Sequence, residues 1–203
     1  MTERPRSYWI RQWHVDKLEK SLGRLPRRSK RPAIVVMIGL PGSGKSHLAR
    51  EIKRRFPAVI LDSDALRQVL FAQPRHTKAE HGRLFPAIHV LMERLLGRGI
   101  SIIADATNLK EANRRQYYKL AEKHGARLLL VRTWAPKREI RRRLAARDAR
   151  RNPNDRSTAT LEVFEKMLAD VERIPRRHVS VNTAMELGTA VDNILRDLSA
   201  SGT

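Results

Sequence analysis

Residues 33–50 read AIVVMIGLPGSGKSHLAR, and this stretch decides the fold. The continuous apolar run Ala33–Ile38 is the pattern of a strand buried on both faces. It feeds a turn, Gly39 to Ser46, that matches G-x-x-x-x-G-K-S in full, and a helical pattern follows. That strand–turn–helix context is what gives the motif its meaning. Its glycines let backbone N–H groups close around phosphates where a side chain would block approach, and the helix N-terminus adds partial positive charge. The residues expected around the phosphates are Gly39, Pro41, Gly42, Ser43, Gly44, Lys45, Ser46 and His47. Lys45 is expected to bridge the β- and γ-phosphates, and Ser46 to place its hydroxyl on Mg²⁺. The expected ligands are a nucleoside triphosphate, ATP, and Mg²⁺.

Outward from this cradle, apolar runs alternate with helical patterns. Further strands are expected at Ala58–Leu61, Ile100–Ala104, Leu128–Val131 and His178–Val181. Helices are expected near 45–55, 64–71, 78–96, 111–124, 137–150, 158–172 and 187–198. Such interleaving predicts an α/β domain over 33–203, with a parallel five-stranded sheet flanked by helices. Residues 1–32 read as a basic N-terminal extension ending in LPRRSKRP. Within it Trp9, Trp13, Leu18 and Leu22 fall near helical spacing after a possible cap at Ser7, a stripe expected to pack on the parent domain.

The 203 residues carry 42 Lys+Arg against 21 Asp+Glu, a formal charge of +21. This balance points to polyanionic partners, chiefly nucleic acid. The charge is concentrated: residues 1–32 hold ten basic and three acidic side chains, and residues 137–156 hold nine and three. With no cysteine there are neither disulfides nor thiolate metal sites. No apolar run approaches spanning length and no signal-peptide core is evident, so a soluble, cytoplasmic protein without a membrane partner is expected.

Three segments carry candidate chemistry beyond the cradle. After the second strand, DSDALR puts Asp62, Asp64 and Arg67 where strand ends converge on a ligand crevice. An acceptor hydroxyl needs a carboxylate to orient it and take its proton. Arg67, at i+3 from Asp64, shares a helix face with it and suits an anionic group of the acceptor. Asp62 or Ser63 equally suits a helix cap. After the third strand, Asp105, Thr107 and Asn108 supply a carboxylate near the metal and short polar groups in the crevice. Finally, Arg143 and Arg147 project from one face of a basic helix within 137–156, the pattern of a lid that swings arginines onto transferring phosphates. Arg141 and Arg142 read as solvated, and His81 and His89 as flanking the acceptor pocket or solvent.

GLPGSGKS, DSDALR, IIADATNL and RRRLAAR, in this order and spacing, resemble the 5′-polynucleotide kinase branch of small P-loop kinases, which shades into zeta-toxin-like and small-metabolite kinases. The likeness covers about residues 33 to 182. The resemblance implies a P-loop kinase with Asp64 as general base and Arg67 as clamp on the acceptor's phosphate. It also implies that Asp105 orients that arginine with Thr107 beside it, and that Arg143 and Arg147 are lid residues on the donor, Arg147 catalytic with Lys45. His47 departs from the hydroxyl residue often seen after the motif serine. The first reading is therefore ATP-dependent phosphoryl transfer to the 5′-hydroxyl of a polynucleotide or nucleotide. Its alternatives are a small-metabolite or nucleotide-sugar kinase, and an ATP-hydrolysing nucleic-acid-binding module.

Overall fold

In the computed structural model, which describes residues 6–150 and 160–200, the apolar runs become five parallel strands. They are β1 (Ala33–Ile38), β2 (Ala58–Asp62), β3 (Ser101–Asp105), β4 (Arg127–Trp134) and β5 (Val179–Asn182), in the order β2-β3-β1-β4-β5. The strand bearing the cradle lies at the centre, and every residue of β1 is buried. The fifth strand falls one residue later than its apolar pattern suggests, because Val179–Asn182 pair with the end of β4.

Among the described residues eight helices accompany the sheet: α1 (Arg6–Lys20), α2 (Lys45–Arg55), α3 (Ser63–Leu70), α4 (Lys78–Gly97), α5 (Glu111–Lys123), α6 (Lys137–Arg150), α7 (Leu161–Leu168) and α8 (Gly188–Ser199). The helix expected over 158–172 is shorter: Thr160 caps it by accepting from the Val163 N–H, and it ends at Leu168. Residues 151–156 of the expected lid, and 158–159, lie outside the described residues.

Strand residues alternate between two layers. Ile34, Val36 and Ile38 join α1, α4 and α5 in one core, whereas Val35 and Met37 face α2 and α8 in the other. A third small cluster of Ala135, Ile140, Leu144 and Phe164 seats α6 and α7 beside the cradle, with Leu40 against it.

The N-terminal stripe is corrected in detail. Ser7 lies inside α1 rather than capping it. Val15 and Leu18 are buried and Leu22 packs on the same core, while Trp13 is exposed; the side chain of Trp9 lies outside the described residues. Ion pairs from Arg94 to Asp16 and Glu19, and from Arg98 to Glu19, tie α1 to α4. Among the described residues no helix is long and apolar enough to cross a membrane.

Register places the site. Asp105 pairs with Met37 on one side and Asp62 on the other. The cradle after Ile38 and both carboxylates therefore meet at the same C-terminal edge of the sheet, where ligands bind in open parallel sheets.

Candidate active site

The cradle requires its glycines. A Cβ on Gly39 would lie 2.5 Å from Thr133 Oγ1 and 2.6 Å from Ser43 Oγ, two hydroxyls that hydrogen-bond each other at 2.8 Å. Gly44 has φ of 84° and precedes α2, and a Cβ there would meet Thr183 Cβ at 2.8 Å. No side chain caps α2, which leaves its first N–H groups for an anion. Lys45 Nζ donates to the Leu40 carbonyl at 3.0 Å across the turn. Burial pushes its pKa down, and the carboxylates of Asp105 and Asp64 oppose that shift.

The two aspartates at the head of α3 divide their roles. Asp62 is the cap, accepting from the Asp64 N–H at 2.9 Å and the Ala65 N–H at 3.1 Å. Asp64 lines the cleft. Burial and then the Asp62 charge push its pKa up, against His76, Arg67 and Lys45. Asp105, 4 % exposed, is likewise pushed up by burial, while Lys45 and the Ser46 hydroxyl favour its charged form.

Arg67 is 2 % exposed and forms an ion pair with Glu80 at 3.1 Å. The same carboxylate accepts the backbone N–H groups of Arg75 and His76, each at 2.8 Å, while Thr77 caps α4 by accepting from the Glu80 N–H. Burial works to raise the Glu80 pKa, but these N–H donors and Arg67 outweigh it and hold it low. The expectation that Asp105 orients Arg67 is thereby corrected. Asp105 faces Ser46 and Lys45, and Glu80 holds the arginine.

Thr107 lines the cleft, and its carbonyl accepts the Gly39 N–H at 3.0 Å, tying the β3 loop to the cradle. Asn108 does not offer its side chain to the crevice. It is buried at φ 48°, donates to the Met37 carbonyl and accepts from the Tyr117 hydroxyl.

On α6 both spaced arginines reach the cleft. Arg143 donates to the Thr183 hydroxyl at 2.9 Å and the Thr183 carbonyl at 2.7 Å, with Glu139 accepting from its Nε. Thr183 in turn donates to the Ser43 carbonyl, so α6 is latched to the cradle. Arg141 and Arg142 are exposed and pair with Glu165 and Glu139. Of the histidines, His47 is exposed at the cleft edge and His81 lines the cleft, but His89 packs edge-on against Tyr117 instead.

A single cleft of about 1150 Å³ thus gathers Pro41, Gly42, Gly44, Lys45, Ser46, His47, Asp64, Arg67, Asp105, Thr107, Arg143 and Arg147, with Gly39 and Ser43 supporting it from below. Sequence reasoning missed Glu80, His76, Phe85 and Thr183. Glu80 at the third helical position after Thr77 is a capping signal; nothing local marks it as the partner of Arg67.

The sheet order, the glycine cradle and the converging carboxylates define the P-loop kinase fold, with a site shaped for a nucleotide's phosphates. A family model described as "AAA domain" matches residues 34–174, and the chain belongs to that family. Solved structures share the fold. The APS kinase CysC of Mycobacterium tuberculosis, in complex with AMPPNP and APS, is 19 % identical over 85 % of this chain and 100 % of its own, with a TM-score of 0.63. Kti12 of Chaetomium thermophilum, in complex with ADP-AlF3, is 18 % identical over 83 % of this chain and 100 % of its own, with a TM-score of 0.65. A chain of the Pnkp1/Rnl/Hen1 RNA repair complex is 20 % identical over 71 % of this chain and 45 % of its own, with a TM-score of 0.58. No curated protein matches the chain in sequence.

Proposed function

We propose that the protein transfers the γ-phosphoryl group of ATP to a hydroxyl, and that the acceptor is the 5′-hydroxyl of a polynucleotide or nucleotide. The observation that carries the reading is Asp64: a cleft carboxylate released from capping by Asp62, close enough to Lys45 and Arg67 for both charges to act on it. Lys45 tracks the β- and γ-phosphates. The acceptor oxygen bonds to the γ-phosphorus as the β–γ bridging bond breaks, the proton passes to Asp64, and ADP leaves. Arg143 and Arg147 meet charge as it spreads over the transferring group.

The donor set also fits Mg²⁺. That ion is held by few protein oxygens plus phosphates and water, and Ser46 lies against Asp105 beside Lys45. Ser46 and Asp105 would hold it, and when bound it would neutralise phosphate charge.

Arg67 supports an acceptor that carries a phosphate of its own, since the guanidinium fork suits that group. Among the compared structures, the RNA repair complex agrees with a nucleic-acid acceptor, as does the charge of +21. Transfer from labelled ATP to a nucleoside, its 3′-monophosphate and a short 5′-hydroxyl oligonucleotide, at two salt concentrations, tests the reading. The 3′-monophosphate is expected to exceed the bare nucleoside. The oligonucleotide is expected to gain further affinity that falls as salt rises, because neutralised phosphates release counterions. Indifference to both features would favour a small-metabolite acceptor.

A further inference from the structure

Lys45, Asp64, Arg67, Asp105, Arg143 and Arg147 belong to the charged part of the cleft; its apolar surface takes no part in their chemistry. α4 contributes His81 and Phe85, one turn apart, whose rings stack with centroids 5.5 Å apart and planes 24° apart. The His81 ring is fixed at both nitrogens. Its Nδ1 donates to the Thr77 carbonyl at 3.0 Å, which leaves Nε2 as acceptor toward Arg67 Nη2 at 3.5 Å.

α7 contributes Val163 and Met167, four residues apart and half-buried, to the same cleft. Phe164 and Leu168 of that helix turn into the core instead. α4 reaches the loop after β3 through α5, and the chain just after α7 bonds that loop directly. Near α4, His89 meets Tyr117 edge-on, and the Tyr117 hydroxyl bonds Asn108. Just after α7, the Glu172 N–H donates to the Leu109 carbonyl at 3.2 Å.

Core packing explains Phe164 and Leu168 and one side of Phe85, which also packs against the α4 core, but it does not explain why His81, Val163, Met167 and the other side of Phe85 line an otherwise charged cleft. Apolar surface in a polar site gains by being covered, and a stacked ring offers a flat face to a planar ligand. We infer that His81 and Phe85, with Val163 and Met167, form a subsite for the planar base of the acceptor, beside the arginine that takes its phosphate. This rests on the phosphotransfer reading above and deepens it by giving the acceptor's base its own place in the cleft. A sugar or small hydroxy acid would leave the rings uncovered.

The test compares two acceptors that share a hydroxyl and a 3′-phosphate: a 2′-deoxynucleoside 3′-monophosphate and the same sugar phosphate lacking the base. Each is assayed with labelled ATP and the full chain, wild type, Phe85→Leu and Phe85→Trp. In the wild type the base is expected to raise kcat/KM by roughly five- to a hundredfold, the range for stacking on an aromatic side chain. Phe85→Leu keeps apolar bulk without a ring face, so the ratio between the two acceptors should collapse toward one, and Phe85→Trp should restore it. The ratio is taken within each variant, so a loss of folded protein does not move it. Equal use of both acceptors by the wild type, or an unchanged ratio in Phe85→Leu, would overturn the subsite while leaving phosphotransfer standing. Transfer to neither acceptor would overturn the nucleotide reading and the subsite together.

Discussion

Asp64 sits where a carboxylate is costly. Burial and the neighbouring Asp62 raise its pKa, and the attraction of His76, Arg67 and Lys45 only partly offsets them. The unfolded chain therefore releases this proton at lower pH than the folded one. Stability contributed at low pH is lost as pH rises from the ordinary carboxylate value through the raised folded value. Asp64→Asn removes that loss. Thermal unfolding at neutral pH is expected to show a higher Tm for the variant, with the difference shrinking in acid. A lower Tm at neutral pH would show that the carboxylate serves the fold rather than the site. Glu80 is the opposite case: it accepts from Arg67 Nη1 and from two backbone N–H groups at once, so the buried guanidinium is held by structure before any ligand arrives, with its Nε still unpartnered.

At the scale of elements, α1 is tested by stability and α6 by turnover. α1 inserts Leu18, fully buried, into the core shared with α4. Leu18→Ala should cost about 2–5 kcal/mol in chemical denaturation, the range for a buried leucine truncation. A cost near zero would mean that α1 only rests on the domain. α6 carries Arg143, hydrogen-bonded to Thr183, and Arg147, which faces the same cleft and acts on Lys45. Arg147→Ala is expected to lower kcat by roughly tenfold or more while ATP affinity changes less, because a cation beside a transferring phosphate matters most as charge develops. Equal weakening of ATP binding, with kcat intact at saturation, would make Arg147 a ground-state contact.

Across the whole molecule, legibility follows how local the determining contacts are. The cradle is legible because its glycines, lysine and serine lie within eight consecutive residues and their roles are fixed by the strand and helix on either side. Asp62 as cap and Asp64 as cleft carboxylate are both foreseeable, since a strand end leading into a helix offers those two positions. The partner of Arg67 is not, because Glu80 lies thirteen residues away on the next helix. Thr183 is harder still. It meets Ser43 across 140 residues, a contact that exists only once β5 has joined the sheet edge. His81 is legible as a residue flanking the pocket or solvent, but its i,i+4 pairing with Phe85 gains meaning only where both rings line the cleft.

In the proposed reaction Asp64 deprotonates an acceptor hydroxyl above a nucleotide held by the cradle. Its most direct test is single-turnover transfer from labelled ATP by Asp64→Asn, at saturating nucleotide and with a 5′-hydroxyl oligonucleotide as acceptor. The account predicts ATP binding close to that of the wild type and a transfer rate lower by roughly 10²–10⁴, the usual effect of removing a general base. A variant that transfers at the wild-type rate would contradict it.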